Sequence, residues 1–213
     1  MIKINFLGDS ITFGHSLIDM NNCFVDIIGR ELPAEVRNYG ISGTRFAKQS
    51  VPSLTPSYDL YFGSRVKDMK NDADLVVVFG GTNDFGHGDA PIGNDNDRTP
   101  NTFYGATHYL INQLLTYYKK EQIVFILPLH RLWEDSLYGS GEKEEKSLPL
   151  SGYVSIIEEV CKEYDIEVLD YRKEMGEAIN NPNLADGLHL NDKGHIRFAS
   201  LLIKDIRRKL SIK

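Results

Sequence analysis

Leu75-Val76-Val77-Val78-Phe79 runs directly into Gly80-Gly81-Thr82-Asn83-Asp84, and the fold is decided by how these ten residues are read. Five consecutive apolar side chains without alternation suit a strand covered on both faces, as in a parallel sheet. Ile123-Val124-Phe125-Ile126-Leu127 repeats the pattern. Working outward, the strand candidates are Lys3–Leu7, Glu35–Tyr39, Leu75–Phe79, Gln122–Leu127 and Ile166–Asp170. Helix-period segments fall between them, near Phe24–Leu32, Ser64–Asn71, Thr102–Lys119 and Tyr153–Tyr164. A last helix starts after Asn191 and runs to about Leu210. Its Ile196, Ala199, Ile203, Ile206 and Leu210 recur at helical spacing as one buried stripe. Five rounds of strand and helix predict a doubly wound α/β/α sandwich. With no repeat and no low-complexity linker, residues 1–213 read as a single domain.

Composition limits the function classes. Hydrophobic residues make up 41% and charged residues 25%, ordinary for a chain with a sizeable core. A net charge of −6 argues against a nucleic-acid partner, which needs clustered Lys and Arg. The one basic cluster, Arg207-Arg208-Lys209, complements a helix dipole. No apolar run approaches the roughly 18 residues of a membrane span. The opening Met-Ile-Lys-Ile-Asn-Phe-Leu enters strand-like sequence with no signal-peptide pattern. Cys23 and Cys161 stand alone, the usage of reduced thiols in a cytoplasmic protein. Two stretches fit neither helix nor strand: Phe85–Pro100, rich in Gly, Asp and Asn, and Trp133–Pro149. The charge run Glu142–Lys146 within the second reads as a solvated tip.

Four short pieces carry the chemistry. Gly8-Asp9-Ser10 follows the first strand, where open α/β sheets bind ligands. Asn38-Tyr39-Gly40-Ile41-Ser42-Gly43-Thr44 follows the second, and Gly80-Gly81-Thr82-Asn83-Asp84 the third. Asp186-Gly187-Leu188-His189 precedes the final helix. Each alone has an ordinary explanation, since Gly and Asn favour turns and Asp9 or Ser10 can cap a helix. Together, and in this order, they are specific.

The set resembles the SGNH, or GDSL-type, hydrolase family from Gly8 to His195. The resemblance implies that Ser10 attacks an ester carbonyl, His189 takes its proton and Asp186 holds the imidazole tautomer. It also implies an oxyanion hole from the backbone N–H groups of Ser10 and Gly43 and the Asn83 side chain. A serine hydroxyl is a poor nucleophile without such a base. In a flavodoxin-like five-stranded sheet of order 2-1-3-4-5, the first three strands are neighbours, so Ser10, Gly43 and Asn83 would lie together.

Other motifs fail. No Gly-x-Ser-x-Gly elbow, Walker A sequence or HExxH occurs, and the histidines lack metal-ligand spacing. Gly86-His87-Gly88 begins a dinucleotide fingerprint that Pro91 breaks. Asp95-Asn96-Asp97 departs from a calcium loop at Arg98 and Thr99. His195 is expected to be structural. Asp9, His87, Arg98, His130, Trp133 and Tyr138 are the candidates for lining a substrate pocket, though Trp133 and Tyr138 could equally pack a loop. The expected activity is hydrolysis of a small-molecule ester without metal or cofactor. The polar loop after the third strand points to short acyl groups, such as acetyl on a carbohydrate. Lysophospholipid or thioester substrates stay open, as does a non-catalytic binding module. Oligomeric state is not readable.

Overall fold

The computed structural model describes residues 1–212. Five strands, β1 (Ile2–Gly8), β2 (Ala34–Gly40), β3 (Leu75–Phe79), β4 (Ile123–Ile126) and β5 (Glu167–Leu169), form one sheet of order β2-β1-β3-β4-β5. Every pairing is parallel. This is the architecture and strand order expected from the sequence. The helices are α1 (Ser10–Phe13), α2 (Phe24–Glu31), α3 (Phe62–Arg65), α4 (Thr82–Gly86), α5 (Phe103–Leu115), α6 (Leu150–Glu163), α7 (Arg172–Met175) and α8 (Asp192–Lys209).

The apolar runs divide between two cores because successive strand side chains point to opposite faces. Val76, Val78, Ile123 and Phe125 join residues of α3, α5 and α6 on one face. Leu75, Val77, Val124 and Ile126 join residues of α2 and α8 on the other. Such three-layer burial is why β3 and β4 read as unbroken apolar sequence. No helix among the described residues is long and apolar enough to cross a membrane.

Three local expectations are corrected. The buried face of α8 is His195, Phe198, Ala199, Leu202 and Ile206, whereas Ile196 is exposed. His195 sets that phase: its ring is wholly buried, stacks on Phe24 and accepts the Phe24 N–H at Nδ1, 3.2 Å away. The helix expected over 64–71 is a single α-turn, α3, followed by a 3-10 turn at Val66–Asp68. Finally, Lys143 leaves the charge run and turns inward, donating from Nζ to the carbonyls of Asp84 and Gly88.

Candidate active site

Parallel register brings four loops to one edge. Gly8 lies opposite Gly40 on one side and Phe79 on the other, so the segments leaving β1, β2 and β3 start level. Asp9 closes the first turn by accepting the Ile11 N–H at 3.0 Å, which places Ser10 at the start of α1. The fourth segment holds itself rigid. One Asp186 oxygen accepts the backbone N–H groups of Leu188 (3.0 Å) and His189 (2.8 Å), leaving the other for the ring. Gly187 turns this loop at φ +82°, and a Cβ there would come within 2.3 Å of Leu132.

These segments put Ser10, His189 and Asp186 in one line. Ser10 Oγ is 2.9 Å from His189 Nε2, and His189 Nδ1 is 2.7 Å from Asp186 Oδ2. A carboxylate only accepts, so Nδ1 carries the proton and Nε2 presents a lone pair to the hydroxyl. Burial lowers the pKa of His189 below the ordinary imidazole value, against the pull of Asp186, and nearby His15 and Arg131 lower it further. Burial pulls Asp186 upward, but its hydrogen bonds to His189 outweigh this and leave the carboxyl below its usual range. The line can therefore deprotonate a hydroxyl near neutral pH.

Gly43 and Asn83 lie on the segments that leave β2 and β3, level with the one that carries Ser10. Gly43 has φ +75°, and a Cβ there would come within 2.5 Å of the Tyr58 ring, so the turn is open only to glycine. Among the described residues, no acceptor faces the backbone N–H of Ser10 or Gly43. Asn83, nearly buried, donates one amide hydrogen to the Thr44 carbonyl at 3.0 Å. Its second amide hydrogen has no protein acceptor among the described residues. The N–H of Ser10, the N–H of Gly43 and one Asn83 amide hydrogen are thus left without a protein acceptor among the described residues, as donors kept for a developing oxyanion would be.

The pocket candidates scatter. Asp9 is buried as the cap of α1, and burial raises its pKa to about 7. His87 pairs with Asn83, its Nε2 3.2 Å from Asn83 Oδ1. Arg98 is at the wrong end. It reaches Glu163, the last residue of α6, at 4.0 Å, whereas α6 starts near the catalytic edge, where Leu150 donates to the Glu134 carbonyl. Fourteen residues at about 1.5 Å each separate the two ends. His130 hydrogen-bonds Glu134 at 2.9 Å. Trp133 is 74% exposed at φ +66° and lines a groove of about 650 Å³ with Leu132, Glu134, Asp135, Glu177 and Ile179. The groove abuts the fourth segment, because Leu132 donates to the Gly187 carbonyl at 2.8 Å. Tyr138 is half-exposed and outside the groove.

Sequence reasoning missed the side chains that hold these loops. Arg65 donates to the carbonyls of Tyr39 (2.7 Å) and Gly8 (3.1 Å) and to Thr44 Oγ1 (3.1 Å). Arg131 ties Thr82 to Ser140. Asp84 accepts the N–H groups of Phe46 and Ala47, each at 2.9 Å, and burial raises its pKa to about 6. His15 lies with its ring 4.5 Å from that of His189. A lone arginine in a sequence looks the same whether buried or solvated, so only the Asp84 position, inside a motif, carried a signal. Two His-carboxylate groups have the proximity for a cation: Asp95, His108 and Glu163, and His130, Glu134 and Glu177. Neither includes Ser10, His189 or Asp186.

A model of the GDSL-like Lipase/Acylhydrolase family matches residues 6–197. No curated protein matches the chain. Among solved structures, a protein from Lactobacillus plantarum is 27% identical over 97% of this chain and 96% of its own, with a TM-score of 0.78. A lipase/acylhydrolase from Enterococcus faecalis is 23% identical over 98% and 97%, TM-score 0.67. Est24, a carbohydrate acetylesterase from Sinorhizobium meliloti, is 14% identical over 98% and 99%, TM-score 0.71. The last two likenesses are of fold.

Proposed function

The chain belongs to the GDSL-like Lipase/Acylhydrolase family, and on that premise we propose that it hydrolyses carboxylic esters through an acyl-enzyme on Ser10. The observation that carries the reading is the hydrogen-bonded line Ser10–His189–Asp186. His189 Nε2 takes the hydroxyl proton as Ser10 Oγ bonds to the ester carbon, and the carbonyl oxygen becomes an oxyanion facing Ser10 N–H, Gly43 N–H and the Asn83 amide. The tetrahedral state collapses, the C–O bond to the alcohol breaks, and His189 returns its proton to the leaving alkoxide. Water, deprotonated by the same nitrogen, then attacks the acyl carbon and releases the acid and Ser10. Asp186 holds the imidazole and stabilises its charged form throughout. A binding module would have no use for such a base beside a hydroxyl.

For substrate we propose esters of short acyl groups, with acetylated carbohydrate as the first class to test. The fold shared with the Sinorhizobium acetylesterase supports it. The Trp133 groove offers a flat apolar face among carboxylates, suited to the non-acyl part of such an ester. A second reading, longer acyl chains as in lysophospholipids or thioesters, has its own observation. Exposed Val51, Leu54 and Leu60 follow β2, and exposed Leu132, Trp133, Leu137 and Tyr138 follow β4, on segments that leave the carboxyl ends of those strands. Hydrolysis of p-nitrophenyl esters of graded chain length separates the two. A kcat/KM that falls beyond about four carbons supports the first, and one that rises supports the second. Equal rates with Ser10→Ala would remove the reading altogether. Buried, unpaired Cys23 and Cys161 suit the reducing cytoplasm as its location.

A further inference from the structure

We infer that His87 is a positioning residue that locks the Asn83 carboxamide with its NH2 group, not its oxygen, towards the oxyanion. The inference rests on the ester-hydrolase reading and names a part of the same site. The nitrogen and oxygen of an asparagine amide are nearly isosteric, so the group can turn over at little steric cost. Turned the wrong way, it would aim a lone pair at the negative oxygen it should stabilise. Something must fix the flip.

Two partners do so, and they agree. The Thr44 carbonyl, which can only accept, takes a hydrogen from Asn83 Nδ2 at 3.0 Å. On the other side Asn83 Oδ1 lies 3.2 Å from His87 Nε2. An imidazole nitrogen donates only if protonated, and here the tautomer is forced. Arg45 lies 2.7 Å from His87 Nδ1, and a guanidinium has donors and no acceptor. Nδ1 must therefore be bare, and the proton of the neutral ring must be on Nε2, facing Asn83. Thr44 and Arg45 are adjacent, so the contacts close a ring: Thr44, Asn83, His87, Arg45 and back through one peptide bond.

The surroundings keep the ring neutral and still. Burial and the charges of Arg45, Arg131 and Lys143 push the His87 pKa down to about 4. The Tyr58 ring covers it, with centroids 6.4 Å apart, and packs over Gly43. Asn83 and His87 are four residues apart, Asn83 in α4 and His87 as its C-cap, so one helical turn brings the side chains together. The side chain of Arg45 is almost fully buried, and its other contacts are longer: Ser53 Oγ and the Tyr58 carbonyl at 3.5 Å and Asp59 Oδ1 at 3.9 Å.

The test begins with wild-type protein. Nitrogen-15 spectra of the imidazoles, with the His87 signals assigned by their loss in His87→Gln, should show a protonated Nε2 and a bare Nδ1 near neutral pH. The opposite tautomer would overturn the proposal with no mutant activity needed. Next, His87→Leu should lower kcat on p-nitrophenyl acetate by about tenfold or more at nearly constant KM, short of the ~10²–10³ expected for losing a direct donor. His87→Gln, which keeps a donor near the Nε2 position, should recover most of the loss. In an Asn83→Ala background His87→Leu should change kcat no further, because residues acting as a unit are not additive. Undiminished kcat in folded His87→Leu, or full additivity in the double variant, would refute it. Wild-type protein that neither hydrolyses the ester nor is labelled at Ser10 by a fluorophosphonate would instead refute the ester-hydrolase reading. The tautomer result would stand apart from that.

Discussion

At the scale of single residues, His189 decides the pH dependence. It must be neutral to accept the Ser10 proton, and its folded pKa is depressed, by burial first and by His15 and Arg131 next. Activity should therefore persist below the ordinary imidazole value of about 6.5 and fall only as pH drops through the depressed value. Removing His15 takes away one depressing neighbour, so His15→Ala should move the acid limb of kcat/KM to higher pH. A limb that stays in place would mean the rings are uncoupled. Asn83 is a separate matter: on the proposed mechanism its amide meets full negative charge only in the tetrahedral state. Asn83→Ala should lower kcat by about 10²–10³ with little change in KM. If Asn83 only braces the turn, a lower Tm with normal kcat per folded molecule would be found. Ser10, Asp186 and His189 were legible because each sits in a short local pattern. The contact of the His15 ring with His189 was not, because it joins positions 174 residues apart by way of the finished sheet.

At the scale of elements, the catalytic edge is held by buried guanidinium groups more than by loop propensity. Arg65 in α3 binds carbonyls at the ends of β1 and β2 and the Thr44 hydroxyl that precedes Arg45. Arg65→Met would remove these three hydrogen bonds, at roughly 1 kcal/mol each. At about 2–4 °C per kcal/mol for a chain of this size, Tm should fall by about 6–12 °C. Thermal melts check the first effect, and kcat on the folded fraction the second, which should also drop as Gly43 loses its support. An unchanged Tm would show that water replaces the guanidinium. Strands were legible because burial on both faces leaves an apolar signature in β3 and β4. Helix phase is less so: of the stripe expected on α8, Ala199 and Ile206 are buried but Ile196 is exposed, because Ile196 is as apolar as a core residue whereas His195, the actual core residue, is not. Arg98 was misplaced for a related reason. The loop after β3 begins at the catalytic edge, but it runs down the outside of α5 and α6, and sequence distance from a strand does not show direction.

For the whole molecule, the buried titratable groups oppose one another across pH. Asp9 and Asp84 have folded pKa values raised to about 7 and about 6, so the folded state holds protons there that the unfolded chain has lost. Their contribution to stability is full below the unfolded carboxyl value of about 4 and is lost as pH rises through 6 and 7. His87 and His195 have folded values lowered to about 4, so their contribution is present above about 6.5 and is lost as pH falls towards 4. From about pH 4 to 6 the two losses run in opposite directions and nearly cancel, so Tm should stay almost level there. Asp9→Asn, which keeps the acceptor for Ile11 N–H, removes one of the opposing groups, so its Tm should rise with pH over the same range. A variant profile as level as the wild type's would contradict the assignment of the Asp9 burial.

The claim on which all of this depends is that Ser10 is the nucleophile. The direct measurement is reaction of the folded protein with a fluorophosphonate, followed by peptide mass spectrometry and p-nitrophenyl acetate hydrolysis on the same sample. One label per chain is predicted at Ser10, with activity lost in proportion to labelling and no label on Ser10→Ala. Modification of Ser42 or Ser140 in its place, or full activity in a labelled protein, would contradict it.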